Sequence, residues 1–148
     1  MNALDAGLYS VLAGDTGAGG VAALVGTDRD SNKKIYQLDA PQKADPPYVL
    51  FQEAQDTPGY TFGNIDVYDH VFYLVRAFTV DANTTGPAQA GILADRLKVL
   101  LTNPSLTVSG KTVLSARFDR SYPPLKEWDG ANNRYFYSRG VLVEIWVS

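Results

Sequence analysis

The chain has 148 residues, of which 45% are hydrophobic and 20% charged, so we expect one folded domain over residues 1–148 and no extended disorder. It has no cysteine and one histidine, His70, which excludes disulfides, thiolate catalysis and metal sites rich in cysteine or histidine. The net charge of −3 is the reverse of the basic excess typical of nucleic-acid readers. No apolar run is long enough to span a membrane, and no secretory signal is expected.

The first third of the chain predicts helices followed by a short strand. Residues 2–13 carry leucine and valine at helical spacing, with Asn2 as the N-cap and Asp5 three residues later in the first turn. A glycine-rich loop follows, and residues 21–25 then predict one or two further helical turns. Residues 35–38 predict a short strand.

Two main strands are expected in the middle of the chain. Residues 48–52 are mostly apolar and begin directly after a proline, where a strand tolerates the missing N–H. Residues 65–80 carry apolar side chains at both alternating positions, which predicts a long strand buried on two sides, with Arg76 interrupting one face. Residues 55–64 contain proline and glycine and predict a loop between these strands.

A long helix and a hairpin are expected next. Residues 86–102 form the clearest helical pattern in the sequence, with Thr85 as its cap and a stripe of leucines on one side. Residues 106–113 predict a hairpin with a two-residue turn at Ser109-Gly110. The second arm of that hairpin continues to about Arg120.

The C-terminal segment predicts a loop and then the last strand. Residues 121–133 predict a second long loop, and residues 134–147 place apolar side chains at every second position, as in a strand. Strands outnumber helices and several turns are short. We therefore predict an α+β fold, with an antiparallel sheet of about four to five strands and two helices packed on one face.

Catalytic chemistry has little support in the sequence. His70 follows Asp69, but adjacent strand residues face opposite sides of a sheet, so a structural or surface role is favoured over an Asp–His dyad. Residues 14–20 are glycine-rich but lack the lysine and hydroxyl residue of a phosphate-binding loop. Residues 28–30 lack the glycine and terminal glutamate of a calcium loop, so a solvated turn is expected. We expect no cofactor, no metal site and no enzymatic activity.

Arginine side chains lie near the ends of two predicted strands, with Arg117 and Arg120 on one and Arg134 on the next. If these strands pair, positive charge gathers at one end of the sheet. Cross-strand pairing with Asp119 and Asp129 is the favoured interpretation. The alternative is an electrostatic contact to a neighbouring subunit.

Each of the two predicted loops carries aromatic residues. Tyr122 and Trp128 lie in the proline-containing loop 121–133, and Tyr60 and Phe62 lie in the other. Exposed aromatic side chains are more often interface anchors than parts of a cofactor site. Packing over the chain's own core is an equally open interpretation.

Several segments follow one another in a characteristic order: the helix 3–13, the apolar segment 21–26, Ile35-Tyr36, the proline-flanked strand 46–51, the strand core 73–78, the helix 90–101 and Val143-Glu144-Ile145-Trp146-Val147. In order and spacing they resemble the tail completion, or tail terminator, proteins of long-tailed bacteriophages and related prophages. The resemblance covers nearly the whole chain.

The resemblance implies a structural role in the virion. Members of this family form a ring, usually of six subunits, at the head-proximal end of the tail tube, where the ring ends tube polymerisation and joins the tail to the head. The implied partners are other copies of the chain, the tail tube protein and a head-completion or neck protein. Genomic DNA would pass through the lumen without sequence-specific binding. The protein would be made in the host cytoplasm, with no membrane partner.

Two other classes of function stay open at this point. One is another phage neck component, such as a head–tail stopper, and the other is a small α+β ligand-binding domain or enzyme. For a ring, two different patches of each subunit must meet. The candidate interface residues are Tyr60 and Phe62 on one side and Arg117, Arg120, Tyr122, Trp128 and Arg134 on the other.

Overall fold

The computed structural model describes residues 2–41, 44–60, 66–80 and 86–148, excluding the side chains of residues 57–60 and 66–67. Three helices and five strands are present in these residues. The helices are α1 (Ala3–Gly14), α2 (Val21–Val25) and α3 (Gly86–Leu101). The strands are β1 (Ile35–Gln37), β2 (Tyr48–Tyr60), β3 (Asp66–Val80), β4 (Val113–Asp129) and β5 (Arg134–Val147).

The five strands form one sheet in the order β1-β2-β3-β5-β4. This confirms the predicted α+β class and the antiparallel pairing of β3 with β5. The sheet is mixed, however, because β1 runs parallel to β2 with Ile35 opposite Val49. The expectation of a purely antiparallel sheet was wrong at this one pair, since the connection between β1 and β2 returns the chain to the same end of the sheet before β2 begins.

All three helices pack on one face of the sheet, and the main core lies between the two layers. Its helical side is aliphatic, and its sheet side consists of alternate residues of the central strands that are almost fully buried. The largest contributors are Leu8, Leu12, Leu93, Leu97, Phe51, Tyr73, Val75, Val143 and Ile145. Alternation in β3 and β5 therefore sets which side chains meet the helices.

The opposite face of the sheet, which we call the open face, has none of the described helices packed on it. Alternate residues of β3 lie there half-buried, including Phe72, Leu74 and Phe78. Tyr48 stacks on Phe78 with ring centroids 5.2 Å apart, so neighbouring strands continue the apolar surface. The sheet thus carries apolar side chains on both faces, as its central strand predicts.

The start of α1 is tied to the sheet through Asp5, which is only 3% exposed. The predicted cap is present, because Asn2 Oδ1 accepts a hydrogen bond from the Asp5 N–H at 2.8 Å and the Asn2 N–H donates to Asp5 Oδ2 at 3.1 Å. The same carboxylate accepts hydrogen bonds from Tyr73 Oη at 2.6 Å and Gln37 Nε2 at 2.7 Å. Burial and the Asp5 carboxylate raise the pKa of the Tyr73 hydroxyl, which keeps it protonated as a donor.

A second carboxylate, that of Asp15, joins the three helices. It accepts hydrogen bonds from the Val21 N–H at the start of α2 and from Arg96 Nε of α3, both at 2.8 Å. The bonds from Arg96 hold the pKa of Asp15 below its ordinary value, against the opposing effect of burial. The predicted glycine-rich loop between α1 and α2 is thereby confirmed as a structural connection.

The predicted loop over residues 121–133 is largely strand. β4 runs to Asp129 and pairs with β5 down to the register Asp129↔Arg134. Pro123 and Pro124 stand in a register shift between Tyr122 and Leu125. Because β4 is the edge strand, a residue without an N–H is tolerated there, and the bulge absorbs both prolines.

Two further boundaries differ from the sequence-based expectation. β2 continues through residues 55–60 with a bulge between Glu53 and Gln55, so this part of the predicted loop is wrong. Residues 61–65 lie outside the described part of the chain, as does Thr85, the predicted cap of α3. The turn at Ser109-Gly110 is present, but residues 106–108 do not form a strand, so the predicted hairpin is wrong.

Replacing Leu97 by Ala tests the core between helix and sheet. Leu97 is fully buried, so we expect Leu97→Ala to lower the free energy of unfolding by about 2–5 kcal/mol through lost contacts and a residual cavity. Val99→Ala is the matched control, because Val99 lies on the same helix and is 66% exposed. Urea unfolding measures both, and equal losses for the two variants would contradict this packing.

Candidate assembly surfaces

The paired ends of β4 and β5 form a projecting hairpin, which we call the arm. The last pair between β3 and β5 joins Val80 to Phe136. Beyond it, β4 and β5 continue together through Trp128↔Tyr135 to Asp129↔Arg134. The ladder between β4 and β5 therefore extends past the last pair between β3 and β5.

Exposed aromatic side chains and a lysine form a cluster on the arm. Trp128 and Tyr135 contact each other edge to face with centroids 4.8 Å apart, and they are 55% and 39% exposed. Lys126 Nζ lies 4.1 Å from the Tyr135 ring centroid. Large aromatic rings that hold one another rigidly in solvent are typical anchors of protein interfaces.

The arginines do not gather at one end of the sheet, contrary to the sequence-based expectation. Arg117 bonds Glu144 near the end of β5 that lies away from the arm, whereas Arg134 bonds Asp129 at 3.2 Å at the tip of the arm. Arg120 bonds its neighbour Asp119 at 2.8 Å, at a bulge in β4. The strand register spreads these charges, and each arginine is paired with a carboxylate. Arg134 with Asp129 is a cross-strand pair of the kind that the favoured interpretation predicts. Asp119 instead bonds its chain neighbour, and the cross-strand partner of Arg117 is Glu144.

His70 belongs to an ion-pair cluster around the buried Glu144 on the open face. Its Nε2 lies 2.7 Å from Glu144 Oε1, and Arg117 Nε donates to Glu144 Oε2 at 2.6 Å. The His70 ring also stacks on Trp146 with centroids 3.8 Å apart. Asp69 instead bonds Lys111 at 2.7 Å, so the two adjacent side chains diverge as expected and His70 has a structural environment.

The pKa of Glu144 reflects two opposing effects. Burial of the carboxylate raises the pKa, while the hydrogen bonds from Arg117, His70 and Trp146 lower it. The hydrogen bonds prevail, so the pKa of Glu144 lies below its ordinary value. An ionised carboxylate thus persists in a largely apolar part of the sheet because two donors from neighbouring strands hold it.

The other candidate interface residues are distributed over the sheet. Tyr60 ends β2 at the opposite end of the sheet from the arm, and its side chain and all of Phe62 lie outside the described part of the structure. Tyr122 is 39% exposed on the edge strand and lines a small recess beside Asp95. The structure thus brings Trp128 and Arg134 together on the arm and separates them from Tyr60.

The cavities resemble shallow surface grooves. One groove, of about 570 Å³, lies between α1 and the segment after α3 and is lined mainly by small and hydroxyl residues such as Gly7, Ser10 and Thr107. Asp28 closes a turn by accepting hydrogen bonds from the N–H groups of Asp30 and Asn32, both at 2.9 Å, which confirms the expected turn.

Within the described ranges, no group of three or more acidic or histidine side chains is arranged to hold a metal ion. No helix in the same ranges is long and apolar enough to cross a membrane.

Several surface residues were missed by the sequence analysis. Lys126 and Tyr135 complete the aromatic cluster but were hidden by the loop assigned to residues 121–133. Glu144 gave no signal because its partner lies on another strand. Arg76 was visible as an interruption of an apolar strand face, and Asp95 as one of the polar positions away from the leucine stripe of its helix.

Replacing Glu144 by Gln tests the ion-pair cluster. The pKa of Glu144 is lower in the folded state than in the unfolded state, where the pKa of a Glu is near 4.3. The ionised carboxylate therefore stabilises the fold fully above that pH, and the stabilisation disappears as the pH falls through the folded-state pKa. We expect Glu144→Gln to cost about 1–3 kcal/mol at neutral pH, through lost charge-assisted hydrogen bonds. The difference from the parent chain should shrink below about pH 4. Urea unfolding from neutral pH to below about pH 4 measures this loss of stability, with the exposed Glu127→Gln as the control. A stability difference that does not change with pH would contradict the prediction.

The chain is similar to known proteins in structure rather than in sequence. No protein-family profile matches the chain, and no curated protein matches it in sequence. In structure it is similar to a chain from the virion of a native gene transfer agent (GTA) particle, with a TM-score of 0.67 and 19% sequence identity. The similarity covers 97% of this chain and 93% of that chain, so the two share a fold over almost their entire lengths.

Proposed function

We propose that this chain is a structural virion protein that forms a closed homomeric ring, most simply of six subunits, at the head-proximal end of a tail tube. The observation that carries the proposal is the fold shared with a chain of a gene transfer agent virion over 97% of the sequence. The resemblance of its ordered segments to tail terminator proteins supplies the finer role. In that role the ring ends tube polymerisation and joins the tail to the head.

The surface of the subunit supports assembly. A ring is built from a heterologous contact, in which two different patches of each subunit meet. The arm carries one exposed cluster around Trp128, and the β2–β3 end of the sheet with Tyr60 lies far from it. Rigid aromatic side chains exposed in this way are favourable interface anchors, because their burial costs little side-chain entropy.

The charge distribution is compatible with a lumen through which DNA slides. Proteins that grip DNA neutralise phosphates with clusters of free lysine and arginine. Here the net charge is −3, and Arg117, Arg120 and Arg134 are each engaged by a carboxylate of the same chain. These three arginines therefore leave few unpaired positive charges that could bind DNA phosphates.

Particles produced without this chain test the proposed role. We expect filled heads that are separate from tails, together with tubes of uncontrolled length, because nothing stops polymerisation. Electron microscopy measures both, and complementation with the parent gene is the control. Unattached tails of normal length would favour a head–tail stopper, and normal tails already joined to heads would exclude both roles.

Replacing Trp128 by Ala tests the arm as an interface. Trp128 is 55% exposed, so the folded subunit should keep its stability within about 0.5 kcal/mol. Assembly should weaken by about 2 kcal/mol or more if the ring buries this side chain. Leu38→Ala is the control, because Leu38 is 60% exposed and lies beside β1. Incorporation into particles, followed by immunoblotting, measures the effect, and normal incorporation of Trp128→Ala would remove the arm from the interface.

A further inference from the structure

The open face of the sheet is an incomplete layer with an unpaired arginine near its centre. Arg76 lies between Leu50 of β2 and Gly140 of β5. Gly140 is required there, because a Cβ would lie 2.9 Å from Arg76 Cγ. The missing side chain lets the arginine stem lie flat across β5 among apolar neighbours.

Arg76 is incompletely satisfied by its surroundings. Its Nη2 donates to Ser138 Oγ at 2.7 Å, and the guanidinium lies 5.5 Å from the Phe78 ring centroid. Its Nε is buried without a hydrogen-bond acceptor, and no carboxylate among the described residues pairs with it. A partly desolvated cation without an anion is unfavourable, so this site is suited to a carboxylate supplied from outside the subunit.

The outward surface of α3 has the complementary chemistry. Ile92 and Val99 are 57% and 66% exposed, and their separation of two helical turns places them on one side of the helix. Asp95 is exposed between them and forms no ion pair with a described residue. This surface therefore combines exposed aliphatic side chains with the Asp95 carboxylate, which shares a shallow recess with Lys98 and Arg139. The open face is an apolar sheet on which the Arg76 guanidinium has no carboxylate partner among the described residues.

We infer that the open face of one subunit receives the outward surface of α3 from a second copy of the chain, with Asp95 of that copy paired to Arg76. The inference deepens the proposed ring by naming its contact surfaces. α3 packs on the face of the sheet opposite the open face, so its outward surface and the open face lie on opposite sides of the subunit. A contact between opposite sides is heterologous and repeats from copy to copy, as a ring requires. It also gives the sheet helices on both faces, the usual arrangement for a sheet that is apolar on both sides.

Cross-linking of introduced cysteines tests the contact directly, because the chain has no cysteine of its own. Leu74→Cys on the open face and Ile92→Cys on α3 are combined in one chain and treated with a short bis-maleimide. The sheet separates these positions within a subunit, so products can form only between copies. The control combines Ile92→Cys with Thr107→Cys, which is exposed after α3.

We expect a ladder of cross-linked multimers from the first pair and not from the control, both in the purified chain at high concentration and in particles. Asp95→Arg, which places two cations opposite each other, should weaken association about tenfold or more. The double variant Arg76→Asp with Asp95→Arg should recover the association. Ile92→Arg should abolish the association by disrupting the apolar part of the contact, independently of the ion pair with Arg76. Asp30→Arg, at an exposed turn, is the charge control.

The outcomes separate this contact from the proposed function. Particles that contain the chain at the tail but give no ladder from the first pair would overturn the contact and leave the ring standing. Particles that lack the chain would overturn the ring, and a ladder in the purified protein would still support the contact. A ladder equally strong in the control, or unaffected by Asp95→Arg, would overturn the contact.

Discussion

The carboxylate of Asp5 holds the helix layer to the sheet. It accepts the backbone N–H of Asn2, the N-cap of α1, and at the same time hydrogen bonds from Gln37 of β1 and Tyr73 of β3. A buried carboxylate is unfavourable unless its lone pairs are filled, and here a backbone amide, an amide side chain and a hydroxyl fill them. The position of α1 follows from this arrangement, since moving the helix would leave the charge buried and unsolvated.

The helix layer then determines which sheet face is available for assembly. α1 and α3 cover one face, and Asp15, directly after α1, bonds Arg96 within α3 and the start of α2. The other face keeps half-buried apolar side chains and also carries two charged side chains, which differ in whether their hydrogen bonds are satisfied within the chain. Glu144 is satisfied within the chain by His70 and Arg117, whereas Arg76 is not. That difference is why the open face suits an acidic partner surface near Arg76.

The edges of the sheet are β4 on one side and, on the other, the short β1 and the part of β2 that extends beyond it. Their irregularities explain why the subunit is suited to contacts through faces and through the arm. β4 is broken by bulges and carries Pro123 and Pro124, and β2 is bulged near Glu53 and carries Pro58. Such features hinder strand-to-strand addition at exposed edges. Side-chain surfaces, namely the aromatic arm and the apolar open face, are then the routes by which copies of the chain can associate.

Local sequence determined the helices and the central strands, because those depend on spacing within a few residues. The cap formed by Asn2 and Asp5 and the long strand that ends at Val80 follow from such patterns and are confirmed. Tertiary structure decided the rest. Residues 121–129 look like a loop because prolines and bulges break the alternation, yet they form a strand because the edge of the sheet tolerates both. The pairing of Arg117 with Glu144, the parallel β1 and the isolation of Arg76 depend on register between distant strands, and no local pattern encodes that register.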